Sequence, residues 1–291
     1  MDCILNELSL NGQYKDIDDF EKSGVKPLSA VLHDMSVLGI DLLYKKSDFY
    51  NSNVTSNETF YSIIFSRAAK VNDSMRRMKS QLAKLQNEPF WDEDVQHDVT
   101  KIYLLVRKGS DDTEVTLTSV AEAQARRACL ISFAKSEFLS DEFDVKIKED
   151  NTTDSVPNVW EGGQLGETLL QRGDISFESY CSNIRFSKLN FDSLDAKNGF
   201  NLVSSENIGL FKSAFNKFES LSWQQIVTDD GLDYKEFSKN KKTGTYFSDD
   251  EWRAGVHKFR IDQKIRCFGN TINGVFYVLR FDLDHKLSDL G

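Results

Sequence analysis

Residues 256–285 read VHKFRIDQKIRCFGNTINGVFYVLRFDLDH, and their pattern decides the architecture of the C-terminal part of the chain. Three runs, VHKFRI, KIRCFGNTI and VFYVLRF, have the length of strands. The last two meet at Asn273-Gly274, a pair that tolerates the positive φ of a two-residue hairpin turn. Period-two alternation then sorts the side chains. Phe259, Ile261, Ile265 and Cys267 tend to one face, while Lys258, Arg260, Lys264 and Arg266 tend to the other, so one face of the expected sheet is basic. In the last strand Phe276, Val278, Arg280, Asp282 and Asp284 share a side, which lets the two aspartates hold Arg280. His285 falls where that strand should end.

Upstream, Ile208, Phe211, Phe215 and Phe218 fall at helical spacing after a Ser205 cap, and Trp223 and Ile226 continue an apolar helix or turn. A capping box from Ser248 to Glu251 opens a short helix into Trp252. Helix followed by antiparallel meander makes an α+β module, placed at residues 195–291.

Residues 1–194 read as a mixed α/β region. ELSLNGQY suggests a short strand and turn, Phe20 to Gly39 an amphipathic helix, and KIYLLVRKG a buried strand. TSVAEAQARRACLISFAKSEF reads as one helix with a Ser119 to Glu122 capping box. FDVKIKED alternates like an edge strand, and NTTDSVPNVW reads as a loop. The glycines of EGGQLGETLLQ lack the lysine and spacing of a phosphate loop and are flanked by Glu161 and Glu167. From Ile64 to Leu85 apolar residues recur at heptad spacing, with Arg67, Lys70, Arg76, Arg77, Lys79 and Lys84 on the other faces. That helix packs on a core, or serves dimerisation or anion binding.

A length of 291 residues suggests about two domains. With 40% hydrophobic and 28% charged residues and only 3 prolines, the chain belongs with ordered globular proteins. No signal peptide or apolar run of membrane-spanning length stands out, so a cytoplasmic protein is expected. Cys3, Cys129, Cys181 and Cys267 are far apart, with no CxxC spacing, and read as reduced thiols. A net charge of −10 argues against coating nucleic acid through general electrostatics. From Lys239 to Gly291, however, basic residues outnumber acidic ones, so any anionic ligand is expected there.

The run FRIDQKIRCFGNTINGVFYVLRFDLDH resembles the C-terminal half of RelE/ParE-superfamily toxins. In those a basic strand, an R-I/C-x-F/Y strand, a turn with Gly, an apolar strand and a terminal His follow a helical portion. The resemblance implies a compact sheet with helices on one face and, in the nuclease members, metal-independent RNA cleavage, commonly of mRNA on a ribosome. It puts Arg266 at the strand arginine, to stabilise transition-state charge, and His285 at the terminal histidine, as acid or base. Lys264 joins them in the catalytic set, and Lys258, Arg260 and Arg280 are the RNA-binding residues. Such chemistry needs a proton removed from a ribose 2′-OH and charge stabilised at phosphorus, which suits histidine and guanidinium groups. Lys286 stands where some family nucleases carry a Tyr after the His, and ParE-like members use the scaffold without ribonuclease chemistry. Asp282 and Asp284 make a weak metal site, so neither metal nor cofactor is expected.

Two readings follow. In the first, residues 1–194 regulate or bind a partner, and a RelE-like module acts on RNA or the translation apparatus. This is a toxin-type effector, an endoribonuclease of a toxin-antitoxin or anti-phage system, with a neutralising protein partner and homo-oligomers through the Ile64 to Leu85 helix. In the second, the chain is a non-catalytic interaction or assembly subunit of a defence complex.

Overall fold

The computed structural model describes residues 2–65, 87–107, 109, 111–183 and 186–290. It divides into two compact units, Met1–Asp174 and Ile175–Gly291. The architecture is mixed, with helices and strands in both units. Among the described residues no helix is long and apolar enough to cross a membrane. The expected heptad helix lies outside the described residues except for Ile64 and Phe65, which belong to the helix Phe60–Phe65.

The first unit is built on a sheet of seven strands: β1 (Cys3–Leu5), β2 (Leu43–Tyr44), β3 (Tyr103–Leu105), β4 (Thr113–Glu114), β5 (Cys129–Ile131), β6 (Glu142–Ile147) and β7 (Thr152–Val159). Their order is β2-β1-β5-β7-β6-β3-β4. The first four run parallel, and β7, β6, β3 and β4 pair antiparallel. Every residue of β1 and β5 is fully buried, as expected of parallel strands covered on both faces. Among the described residues, the α-helices of this unit are α1 (Ile17–Phe20), α2 (Lys26–Val37), α3 (Phe60–Phe65), α4 (Ser119–Arg126) and α5 (Gln164–Arg172).

Three local expectations are corrected here. The helix expected through ACLISF ends at Arg127, which is left-handed with φ +54°, and the apolar run after it becomes β5. An unbroken buried run has no periodicity to tell helix from strand. The cap of α4 is Thr118, whose hydroxyl accepts from the Val120 N–H, and Glu122 turns away from the cap altogether. NTTDSVPNVW forms β7 where a loop was expected, which makes β6 an interior strand between β7 and β3 and not an edge. Ahead of α5, the Gly163 N–H donates to the Asp34 carboxylate at 2.6 Å, so an internal anion meets that glycine turn.

The second unit contains α6 (Phe177–Asn183), β8 (Leu189–Asn190), α7 (Ser205–Ser220), α8 (Trp223–Thr228), β9 (Lys235–Glu236), α9 (Asp249–Ala254), β10 (Val256–Arg260), β11 (Arg266–Ile272) and β12 (Val275–Asp282). Its sheet has the order β8-β12-β11-β10-β9, antiparallel apart from the β8–β12 pair. This unit starts before residue 195, because β8 pairs with β12 and Phe177 packs on Phe211 and Phe215. The cap of α7 is Ser204, one residue before the expected Ser205, which is the first helical residue. The Ser248 to Glu251 capping box is formed at α9, and Asn273 and Gly274 take φ +51° and +80° at the hairpin.

One face of this sheet is apolar by design of the α7 periodicity. Phe215 and Phe218 from α7 pack edge-on or tilted against Phe259 of β10, Phe211 edge-on against Phe281 and Phe218 tilted against Phe276 of β12. Burying each such ring is worth about 2–3 kcal/mol before entropy. Gly269 in β11 is required by close approach: a Cβ there would lie 2.3 Å from the Tyr277 carbonyl oxygen.

Candidate functional site

Across β10, β11 and β12 the register sets Lys258, Phe268 and Arg280 in one row, and Arg260, Arg266 and Asp282 in the next. Phe259, Cys267 and Phe281 form the row between them, on the α7 face. Of the expected cations, Lys258, Arg260 and Arg266 therefore share the second face with Arg280, while Lys264 lies in the turn between β10 and β11 and not in a strand. In β12 the register shifts between Phe268 and Gly269, where Phe268 pairs with Arg280 but Gly269 with Val278, leaving Leu279 as the extra residue of a bulge. That slip corrects the expected grouping of Arg280 with Phe276 and Val278.

The second face is covered rather than open. Phe237, Phe247, Val256, Phe268, Leu279 and Leu287 form a buried cluster on it, with Trp252 packed alongside. Lys258 and Arg266 are only 5% and 6% exposed beneath this cover.

Each cation has an internal partner or a stated position. Arg266 Nη1 donates to three carbonyls of its own turn, those of Asp262 at 2.6 Å, Ile265 at 3.0 Å and Gln263 at 3.2 Å. Burial lowers its pKa, and the neighbouring Arg260 charge lowers it further. Lys258 Nζ donates to the Ser288 hydroxyl at 2.6 Å and the Ser288 carbonyl at 3.2 Å, and lies 5.0 Å from the Phe237 ring centre. Its pKa is lowered too, by burial first and then by Lys235 and Arg266. Arg260 reaches Asp233 at 3.2 Å, and Lys235 shares that carboxylate at 3.0 Å. Arg280 donates to the Tyr246 carbonyl at 3.1 Å and stacks on the Tyr246 and Phe247 rings, so the expected aspartate pairing gives way to aromatic contact. Lys264 is exposed on the turn between β10 and β11.

His285 follows β12 in the left-handed region, φ +62°, with Nδ1 2.5 Å from the Asp289 carboxylate. A carboxylate accepts, so Nδ1 donates, and in the neutral ring Nε2 is then the basic nitrogen. Arg266 and His285 are not joined in one hydrogen-bonded constellation among the described residues. The structure instead brings together Lys258, Asp282 and Ser288, whose N–H donates to Asp282 Oδ2 at 2.8 Å. Sequence reasoning missed Leu287 and Ser288, although an apolar residue in the polar tail HKLSDL was a signal that this stretch is anchored.

The first unit holds two polar clusters, among the described residues, that were not anticipated. Glu122, wholly buried, accepts from the His97 ring at 2.6 Å, the Gln96 and His97 amides, and Arg126 Nε at 2.5 Å. His97 sits between the rings of Trp91 and Tyr103. At the C-terminal ends of β1, β5 and β7, where open parallel sheets bind ligands, Asn6, Ser132 and Asn158 bond one another. Asn158 Nδ2 also donates to the Phe138 and Ser140 carbonyls, so this network closes on itself. Among the described residues no group of three His, Cys, Asp or Glu side chains could hold a metal ion.

Compared with protein-family models, with curated proteins and with solved structures, the chain finds no match.

Proposed function

We propose that Ile175–Gly291 is a RelE/ParE-like effector module that acts by binding a macromolecular partner of the translation apparatus, with no ribonuclease chemistry built on Arg266. A five-stranded sheet in the order β8-β12-β11-β10-β9, with α7 and α8 between β8 and β9, α9 between β9 and β10, and α7 packed on one face, supports the likeness in architecture, although α6 precedes it. The observation that carries the binding reading is the state of Arg266. A guanidinium that must stabilise charge at phosphorus needs free donors, and this one is buried with Nη1 turned onto three backbone carbonyls. Lys258 is engaged in the same manner by Ser288.

One observation favours the catalytic reading: His285 is oriented by Asp289 as an acid or base would be. Comparison of wild type, Arg266→Ala, Arg266→Lys and His285→Ala separates the two. Growth arrest on induction is measured beside cleavage of RNA with and without ribosomes. The binding reading expects arrest by wild type and by His285→Ala, with no cleavage by either. Cleavage that His285→Ala abolishes would overturn it, and absence of arrest by wild type would end the effector reading altogether.

A further inference from the structure

Helix α4 ends beside a cavity of about 430 Å3 that lies wholly within the first unit. Its walls are the last turn of α4 and the residues after it, residues 154–157 of β7, and Arg172 at the end of α5. That volume falls in the range of pockets that take small molecules. Two arginines line it, Arg127 and Arg172, against one acidic residue, Asp154. The acid is already engaged, since Gln124 Nε2 donates to Asp154 Oδ2 at 2.5 Å. Arg172 is held by two acceptors, with Nε on the Asp174 carboxylate at 3.0 Å and Nη2 on the Arg127 carbonyl at 3.2 Å. The Arg127 side chain has no hydrogen bond or ion pair among the described residues.

The ordinary task of an arginine here is to meet the carbonyls at a helix end. Those carbonyls are met otherwise. The Ala123 carbonyl accepts from the Ala128 N–H at 2.9 Å, and the Gln124 carbonyl from the Arg127 N–H at 3.2 Å. Arg126, the other basic residue of this turn, is held by Glu122. Arg127 is also the residue that takes the left-handed conformation, φ +54° and ψ +37°, which glycine adopts with least strain. A cation without a partner therefore stands at a backbone position that disfavours most side chains, beside a cavity whose second cation is already fixed. Strained residues of this kind cluster at ligand clamps.

We propose that this cavity binds a small phosphomonoester that carries hydroxyl groups, with Arg127 and Arg172 meeting the phosphate and Asp154 and Gln124 the hydroxyls. Guanidinium donors match the paired oxygens of a phosphate. A carboxylate accepts from hydroxyl groups but repels a phosphate dianion, so Asp154 selects for the hydroxylated part of the ligand. The site belongs to the first unit and is independent of the effector reading of Ile175–Gly291.

The test is calorimetric titration of the full chain, at constant ionic strength, with inorganic phosphate, ribose 5-phosphate and adenosine 5′-monophosphate. Ribose 5-phosphate or the nucleotide is expected to bind at least tenfold more tightly than inorganic phosphate. Preference for the first identifies a sugar phosphate, and preference for the second a nucleoside phosphate. Arg127→Gly removes the cation and relieves the backbone. It is expected to melt no lower than wild type while losing at least tenfold in affinity, as for a lost hydrogen bond to a charged group. Arg127→Asn tolerates the left-handed region as well and is expected to lose as much, which keeps the test in force should the glycine variant fail to fold. Asp154→Asn removes a like charge, so affinity for inorganic phosphate is expected to rise severalfold while the advantage of the esters shrinks. No binding of any phosphate by wild type, equal affinity in wild type and a folded Arg127 variant, or esters that bind no better than inorganic phosphate would overturn the proposal.

Discussion

Glu122→Gln should lower the stability of the N-terminal unit by about 3 kcal/mol at neutral pH, a value that follows from the donors converging on one buried carboxylate. Arg126 Nε and the His97 ring lie 2.5 and 2.6 Å from it, and the Gln96 and His97 amides complete the shell. The Arg126 side chain is only 8% exposed and its second carboxylate, Asp94, stands farther off at 3.5 Å, so neutralising Glu122 leaves a nearly buried cation without its closer partner, which costs up to roughly 3–5 kcal/mol. Glutamine keeps one accepting oxygen but turns an NH2 toward groups that themselves donate, which puts the loss at about the lower end of that range. The assay is amide exchange at Gln96 and His97 combined with urea unfolding. About 3 kcal/mol corresponds to a loss of exchange protection of roughly a hundredfold. A loss below about 1 kcal/mol with unchanged protection would refute the reasoning. The pH dependence supplies the sign. Burial pushes the Glu122 pKa up, but bonds from His97 and Arg126 outweigh it and the net direction is down. A depressed folded pKa gives stability that is complete above the unfolded glutamate value of about 4.3 and is lost as pH falls through the folded value. The gap between wild type and Glu122→Gln should therefore shrink as pH falls below about 4.

Gly269→Ala should destabilise the C-terminal unit by about 3 kcal/mol, because its Cβ would meet the Tyr277 carbonyl at 2.3 Å and the Phe276 ring at 2.6 Å; a thermal transition shifted by less than a degree would contradict this. Phe218→Ala empties a fully buried site in contact with Trp223, Phe259 and Phe276 and should cost about 3–5 kcal/mol by urea unfolding, with a loss under 1 kcal/mol counting against the packing described. The four cysteines are free and buried, with burial pushing the Cys3 thiol up to about 12 and the other three upward as well. Native protein at pH 8 should leave a thiol reagent unconsumed, whereas urea should release all four thiols; one rapidly labelled equivalent in the native state would show an exposed thiol.

The second unit was more legible in the sequence than the first because its instructions are local. Asn273-Gly274 encodes a turn in two residues, the Ser248 to Glu251 box encodes a helix start in four, and Phe211, Phe215 and Phe218 mark a helix face within eight. The parallel sheet of the first unit has no such shorthand. Its strands β1 and β5 are three residues each, pair across more than 120 residues of chain, and are buried on both sides. Alternation disappears when both faces are covered, so Cys129–Ile131 reads equally as helix. In β7 the opposite problem arises. Thr152 to Ser155 are exposed and polar, and only Val156 to Val159 are buried, so composition points to a loop while the ladder with β6 makes a strand.

For the site, alternation along β10 and β11 correctly grouped Lys258, Arg260 and Arg266, because a strand decides which side chains share a face within a few residues. It cannot say what lies over that face. The cover comes from Phe237, Phe247, Trp252 and Leu287, which lie outside the strands whose alternation is read, and the acceptors of Arg266 are carbonyls of its own turn, which every sequence possesses and none displays. A cation's role depends on the acceptors it meets, and a sequence names donors far more plainly than acceptors. The resemblance to a nuclease strand and the burial of its arginine are therefore compatible: the strand pattern specifies a sheet, while the bulge at Leu279 and the seat of Ser288 decide which of its charges are covered. The decisive perturbation of this face is accordingly one that moves Leu287 and Ser288, since altering Arg266 first disturbs the turn it holds.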